Sequence, residues 1–244
     1  MLSLIGLGIW DERDLSLRGV DACKRADKLY CELYTAAWGG DIAKLEKLVG
    51  KKIQVVERSD VEDDSDKLVE EAKTKRIALL APGDPLTATT HVHLVMECRQ
   101  KGIDYEVVHA SSIYTAIAKS GLQLYKFGRT ATVITPAKGY ESESFYDALA
   151  ENHKHGLHTL LLLDVNMGTK QAFDILLAIE KKKKASALKE AVICSALGSE
   201  NERVIYGRTS DLLDIELPAP AVIIIPGKLH FLEKEFLDTL DKPV

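Results

Sequence analysis

An aspartate held between two prolines is the residue of this chain best placed to do chemistry. Asp84 lies in Ala81-Pro82-Gly83-Asp84-Pro85-Leu86-Thr87, directly after the apolar run Ile77-Ala78-Leu79-Leu80. The run reads as a buried strand. Each proline fixes φ, and the glycine between them permits a backbone closed to other residues. The turn is therefore stiff and stands at the carboxyl end of a strand, where open α/β sheets hold ligands. Two readings stay open: a ligand-facing carboxylate, or a tight strand-to-helix turn that Asp84 caps locally.

Other segments carry weaker chemical signals. Gly6-Leu7-Gly8 follows the first apolar run, but the third glycine of a dinucleotide loop would fall at position 11, which is Asp11. These glycines instead let a ligand or the next helix approach the strand end. Ser111-Ser112 offers hydroxyls and helix-start amides, a seat for a carboxylate or a plain cap. No G-x-S-x-G elbow accompanies them. Pro226-Gly227-Lys228-Leu229-His230 is a second rigid strand end. His91 and His93, two apart on a helix, point to opposite sides, and His153, His155 and His158 lack a completing Cys or carboxylate, so no metal site is read. Lys181–Lys184 reads as a solvated helix end.

The elements that must position these residues alternate through the first half. Strands are expected at 2–9, 28–34, 53–56, 77–80 and 105–109. Helices are expected at 15–26 (capped by Asp14), 41–49 (Asp41 cap, Gly50 stop, apolar stripe Ile42, Leu45, Leu48 and Val49), 66–75 and 89–100. Such alternation implies a mostly parallel sheet covered on both faces. The second half has strand patterns at 131–135, 159–163, 192–197, 203–208 and 222–225, with helices at 144–153, 169–182 and 229–240. No helix separates 192–197 from 203–208, so those strands should be antiparallel and the sheet mixed. The expected domains are 1–110 and 111–244.

Composition narrows the classes of function. A formal charge of −5 argues against direct nucleic-acid binding. No apolar stretch nears the roughly 20 residues of a membrane helix, and the opening residues lack a signal-peptide layout. The four cysteines form no C-x-x-C pair and read as buried thiols of a reducing, cytoplasmic compartment.

Four segments together, Gly6–Asp11, Pro82–Pro85, His109–Ile113 and Pro226–His230, resemble the diphthine synthase branch of the tetrapyrrole-methylase-like class. That class usually carries Gly-x-Gly-Pro-Gly-Asp at the first loop. This chain has Gly-Leu-Gly-Ile-Trp-Asp, which favours the diphthine branch over a tetrapyrrole substrate. The resemblance implies two α/β domains with a ligand cleft between them, a homodimer, and S-adenosyl-L-methionine as methyl donor, with S-adenosyl-L-homocysteine as product. It implies successive methylation, three times, of the amino group of 3-amino-3-carboxypropyl-histidine in translation elongation factor 2. On the family's pattern Ile9, Asp84, Thr87, Ser112, Ile113, Leu163, Leu197 and His230 bind the donor, with no metal and no assigned catalytic base. Tyr34, Trp38, Tyr125 and Phe127 are candidates for an aromatic wall around the quaternary ammonium product. The alternatives are a small-molecule methyltransferase acting on a precorrin-type acceptor, and a non-catalytic nucleotide-binding protein.

Overall fold

The structure, a computed structural model, describes residues 1–136, 142–217 and 219–241 and separates into two units, Met1–Ala116 and Ile117–Val244. The first unit runs β1 (Leu2–Gly6), α1 (Leu17–Arg25), β2 (Lys28–Glu32), α2 (Ile42–Val49), β3 (Ile53–Val56), α3 (Arg58–Glu62), α4 (Ser65–Glu71), β4 (Ile77–Ala81), α5 (Val92–Lys101), β5 (Tyr105–Val108) and α6 (Ile113–Ala116). Its five strands are all parallel, in the order β3-β2-β4-β1-β5. The expected parallel sheet is therefore present.

Burial on both faces explains the near-continuous apolar runs of β1 and β4. Side chains alternate across the pleat. Ile5, Leu7, Ala78 and Leu80 pack with Cys23 of α1 and with Leu45 and Val49 of α2. Leu2, Leu4, Ile77 and Leu79 pack on the other face with Val61 of α3, Val69 of α4, and Leu94 and Cys98 of α5.

Several expected details differ. Ser16, not Asp14, caps α1, its side chain accepting from the Gly19 amide, while Asp14 accepts from the Trp10 amide at 2.7 Å. Leu48 is exposed because Leu45 and Val49 already fill the inward face of α2. β2 stops at Glu32, whose carboxylate accepts the amides of Tyr34 and Thr35 and turns the chain. The charged segment after β3 is broken into α3 and α4, and α5 begins only at Val92.

The second unit runs β6 (Ala131–Val133), α7 (Ser144–Lys154), β7 (Thr159–Leu163), α8 (Thr169–Lys183), β8 (Glu190–Ser195), β9 (Arg203–Arg208), α9 (Thr209–Leu212), β10 (Ala221–Ile225) and α10 (Phe231–Thr239). Its sheet has the order β6-β7-β10-β8-β9, with β6 and β7 parallel and the remaining pairs antiparallel. The β8–β9 pairing is the antiparallel one expected from the missing helix. Phe145 and Tyr146 of α7 and Phe173 and Leu176 of α8 cover one face of this sheet, against Leu161, Ile193, Ile205 and Ile223. The cysteines are all free and buried. Among the described residues no helix is long and apolar enough to cross a membrane.

Candidate functional site

In the first sheet β4 and β1 are neighbours whose connections leave in opposite directions, β1 leading to β2 and β4 leading past β1 to β5. Such a reversal opens a crevice at the carboxyl ends of the strands. The loops that follow β1, β4 and β5 meet there. Gly8 and Gly83 exchange backbone hydrogen bonds of 3.1 and 2.8 Å, and the Leu7 amide donates to the Ala81 carbonyl at 2.8 Å. Both glycines adopt left-handed φ, +85° and +66°, which other residues rarely do. A Cβ on Gly6 would stand 2.5 Å from the Gly83 carbonyl oxygen and 2.6 Å from the Ala110 Cβ. The neighbouring loops thus crowd Gly6, while Gly8 is crowded by Asp14 of the short helical turn that follows, the close approach of the next helix that the glycines suggested.

Asp84 holds the junction together. It is 6% exposed, and its Oδ1 accepts from the Leu86 amide at 3.1 Å and the Thr87 hydroxyl at 3.2 Å. Its Oδ2 accepts from His109 Nδ1 at 2.7 Å and the Ala110 amide at 3.2 Å. Burial alone would raise its pKa; the hydrogen bonds from Leu86, His109 and Ala110 outweigh it and hold the carboxyl below the usual carboxylate range. A carboxylate offers about four lone-pair positions, so these donors occupy it fully. The two readings of Asp84 merge: it is a local cap that also ties the β4 loop to the end of β5.

The other first-unit residues expected at the site follow from this clasp. Thr87 donates its hydroxyl and its amide (3.1 Å) to Asp84. The next residue, Ala88, has a φ of +58°, a conformation that costs an L-residue about 1–2 kcal/mol and persists because the loop is tied on both sides. Ile9 is half-buried between Gly8 and Trp10. Ser112 is buried and precedes α6, its carbonyl accepting from Thr115 and Ala116. The amides of Ser111, Ser112 and Ile113 donate to no described residue, which leaves them available to an acceptor group.

In the second unit Leu163 ends β7 half-buried against the core, and Leu197 is buried just after Ala196, whose φ is +49°. His230 caps α10. Its ring accepts from the Leu232 amide at 3.4 Å, and its own amide donates to Glu233 at 2.7 Å. Glu233 is the centre of this corner: 1% exposed, it accepts also from Gln123 N at 2.9 Å, from His158 Nε2 at 3.0 Å and from Lys126. Burial would raise its pKa, but the His230 amide, Lys126, Gln123 and His158 together bring it down to about 2. His158 Nδ1 accepts from the Gly227 amide at 2.9 Å, which fixes the neutral ring with its proton on Nε2. The Pro226–His230 segment is thus anchored by its own unit.

The candidate aromatic residues are differently placed. Tyr125 is 82% exposed, and Phe127 packs edge-on against His158. The Tyr34 hydroxyl and the Trp38 indole nitrogen are buried without partners. Among the described residues no group of three metal-ligating side chains is placed to hold an ion.

Two contributors were not singled out as site residues in the sequence. His109 is the Asp84 partner, signalled by its place just past β5 and by the His109–Ile113 segment of the resemblance, though not as a site residue itself. His91 is fully buried and hydrogen-bonds the Pro85 carbonyl at 3.1 Å.

Comparison with known proteins identifies the family. Residues 1–213 match the family model Tetrapyrrole (Corrin/Porphyrin) Methylases. The chain is 43% identical to a diphthine synthase of Methanocaldococcus jannaschii and 44% identical to one of Methanococcus maripaludis, each over 98% of both chains. A crystal structure of diphthine synthase superimposes with a TM-score of 0.91 at 36% identity, covering 99% of this chain and 96% of that one. With a clasped strand-end junction in the first unit and likeness along nearly its whole length, the chain belongs to the tetrapyrrole methylase family, in its diphthine synthase branch, and is a methyltransferase.

Proposed function

We propose that this chain transfers methyl groups from S-adenosyl-L-methionine, three in succession, to the amino group of 3-amino-3-carboxypropyl-histidine in translation elongation factor 2, giving diphthine. The observation that carries the reading is the junction of the three loops, with its unpaired amides at Ser111–Ile113 beside a fully engaged Asp84. Those amides suit a carboxylate or ribose oxygen of the donor, and the clasped backbone at Gly8 and Gly83 gives a surface that needs no rearrangement to receive it. When bound, the donor supplies an activated methyl group and a neutral thioether leaving group.

The chain's own contribution is alignment. Ile9 offers an apolar contact, Thr87 and Asp84 fix the loop, and Ser112 and Ile113 present backbone donors. On the family's pattern Leu163, Leu197 and His230 of the second unit also serve donor binding. Holding two reactants in attack geometry lowers a barrier by roughly 7–11 kcal/mol. Asp84 is ionised at neutral pH, but its lone pairs are taken, so it does not act as the base. Its charge instead favours a cationic donor nearby. The proton released by the attacking amine passes to water or to the acceptor protein. The same reading makes the working form a cytoplasmic homodimer.

The test is mass spectrometry of unmethylated elongation factor 2 after incubation with the chain and donor. A gain of three methyl groups on the modified histidine is expected. No gain there, with methylation of a precorrin-type acceptor instead, would overturn the reading in favour of a small-molecule methyltransferase.

A further inference from the structure

Behind the Asp84 loop lies a buried histidine–glutamate pair that takes no part in the clasp. His91 and Glu32 both have side chains 0% exposed, with His91 Nε2 standing 3.8 Å from Glu32 Oε1. The opposite ring nitrogen, Nδ1, is 3.1 Å from the carbonyl oxygen of Pro85. A carbonyl only accepts, so Nδ1 must carry the proton of the neutral ring. Nε2 is then a bare lone pair, buried, with no hydrogen-bond partner, and it faces a carboxylate. Two lone pairs facing each other in a dry interior repel, and one proton between them removes the conflict.

Full burial disfavours a charge on Glu32, although its donors favour one. Glu32 ends β2, and its other contacts, the amides of Tyr34 and Thr35 at 3.1 Å each and the Thr35 hydroxyl at 2.6 Å, hold the carboxyl in place. Burial raises the pKa of Glu32 against the pull of those Thr35 and Tyr34 hydrogen bonds, and burial lowers that of His91. The other charged or titratable groups acting on the pair are Cys31 of β2, Glu62 and Arg58 of α3, His93 of α5, and Tyr34, whose buried hydroxyl also lacks a partner. Glu62 pairs with Arg58 at 3.6 Å, and His93 is engaged by the Val61 and Thr90 carbonyls at 2.9 and 2.7 Å. None of these hydrogen-bonds Nε2.

We propose that His91 is a positioning residue for the Asp84 loop, its Nδ1–H holding the Pro85 carbonyl while the buried Nε2–Glu32 pair, at ion-pair distance, carries one proton on one partner or the other. Pro85 is the residue directly after Asp84, and its carbonyl also accepts from the Thr89 hydroxyl at 2.7 Å. The Pro85 carbonyl is thus a second anchor of the loop that carries Asp84 and Thr87, beside the Asp84 clasp itself. Loss of that proton leaves the Nε2 lone pair facing an ionised carboxylate and loosens that hold. This inference rests on the assignment of Asp84 and Thr87 to donor binding.

The experiment combines calorimetry with S-adenosyl-L-homocysteine and nitrogen NMR of the histidine rings. In the wild type, affinity is expected to fall as pH rises through the titration of the pair. H91N keeps an amide donor at the Nδ1 position and should bind within about threefold of wild type. H91Q places its amide at the Nε2 rather than the Nδ1 position and should bind roughly tenfold more weakly, the worth of one buried hydrogen bond. E32Q removes the titrating carboxylate that faces Nε2 and should abolish the pH dependence. Urea melts of each variant show that it is folded. Equal affinity for H91N and H91Q, or an unchanged pH dependence in E32Q, would overturn the proposal. If the wild type binds no S-adenosyl-L-homocysteine, the donor reading fails and the proposal with it. The NMR signature of an Nδ1-protonated His91 then shows separately whether the local geometry holds.

Discussion

Removing the carboxylate of Asp84 should unfasten the strand-end junction as well as weaken donor binding. In Asp84→Ala the amides of Leu86 and Ala110 lose a charged acceptor at 3.1 and 3.2 Å, the Thr87 hydroxyl loses one at 3.2 Å, and His109 loses its partner at 2.7 Å. Hydrogen bonds to a charged group contribute about 1.5 kcal/mol or more each, and the hydroxyl contributes about 1 kcal/mol. The His109 ring is 70% exposed, so solvent screens that pair to less than about 1 kcal/mol. Partial rescue by water brings the expected loss to about 3 kcal/mol. Urea denaturation at neutral pH measures it directly. The depressed pKa gives the pH dependence its sign. Stability from Asp84 is fully present above its unfolded value, near 3.8, and is lost as pH falls through the lower folded value. The difference between wild type and variant should therefore shrink in acid. A variant within about 0.5 kcal/mol of wild type, or a gap that stays constant into acid, would refute the view that Asp84 clasps the loops.

Other outcomes follow from the same geometry. Gly8→Ala places a Cβ 2.3 Å from that of Asp14 at a φ of +85° and should cost about 2–3 kcal/mol, whereas Gly83→Ala, with nothing within 4 Å, should cost only the backbone strain of about 1 kcal/mol; thermal melts distinguish them. Glu233→Ala strands Lys126, His158 and two amides in the second unit and should destabilise it by about 3 kcal/mol in denaturant titrations. Because the Glu233 pKa is about 2, wild type should lose that stabilisation as pH falls from about 4.5 to about 2, and Glu233→Ala should show a flatter acid profile there.

Period and punctuation alone determined much of this protein. The runs at β1 and β4 are buried on both faces, so only a parallel sheet under two helix layers accommodates them, and that was legible residue by residue. Asp41 and Gly50 bracket α2 as read, because caps act within one turn of chain. The absent helix between β8 and β9 likewise dictated their antiparallel pairing. Choices among neighbours were different. Ser16 and Asp14 are both competent caps, and only the position of the Trp10 amide decided which became one. That Asp84 would accept from His109 and Ala110, some 25 residues away, depends on β1 standing between β4 and β5. Strand order is a long-range packing outcome that no local window contains, and the pairing of Glu32 with His91, or of Glu233 with His158, follows from it in the same way.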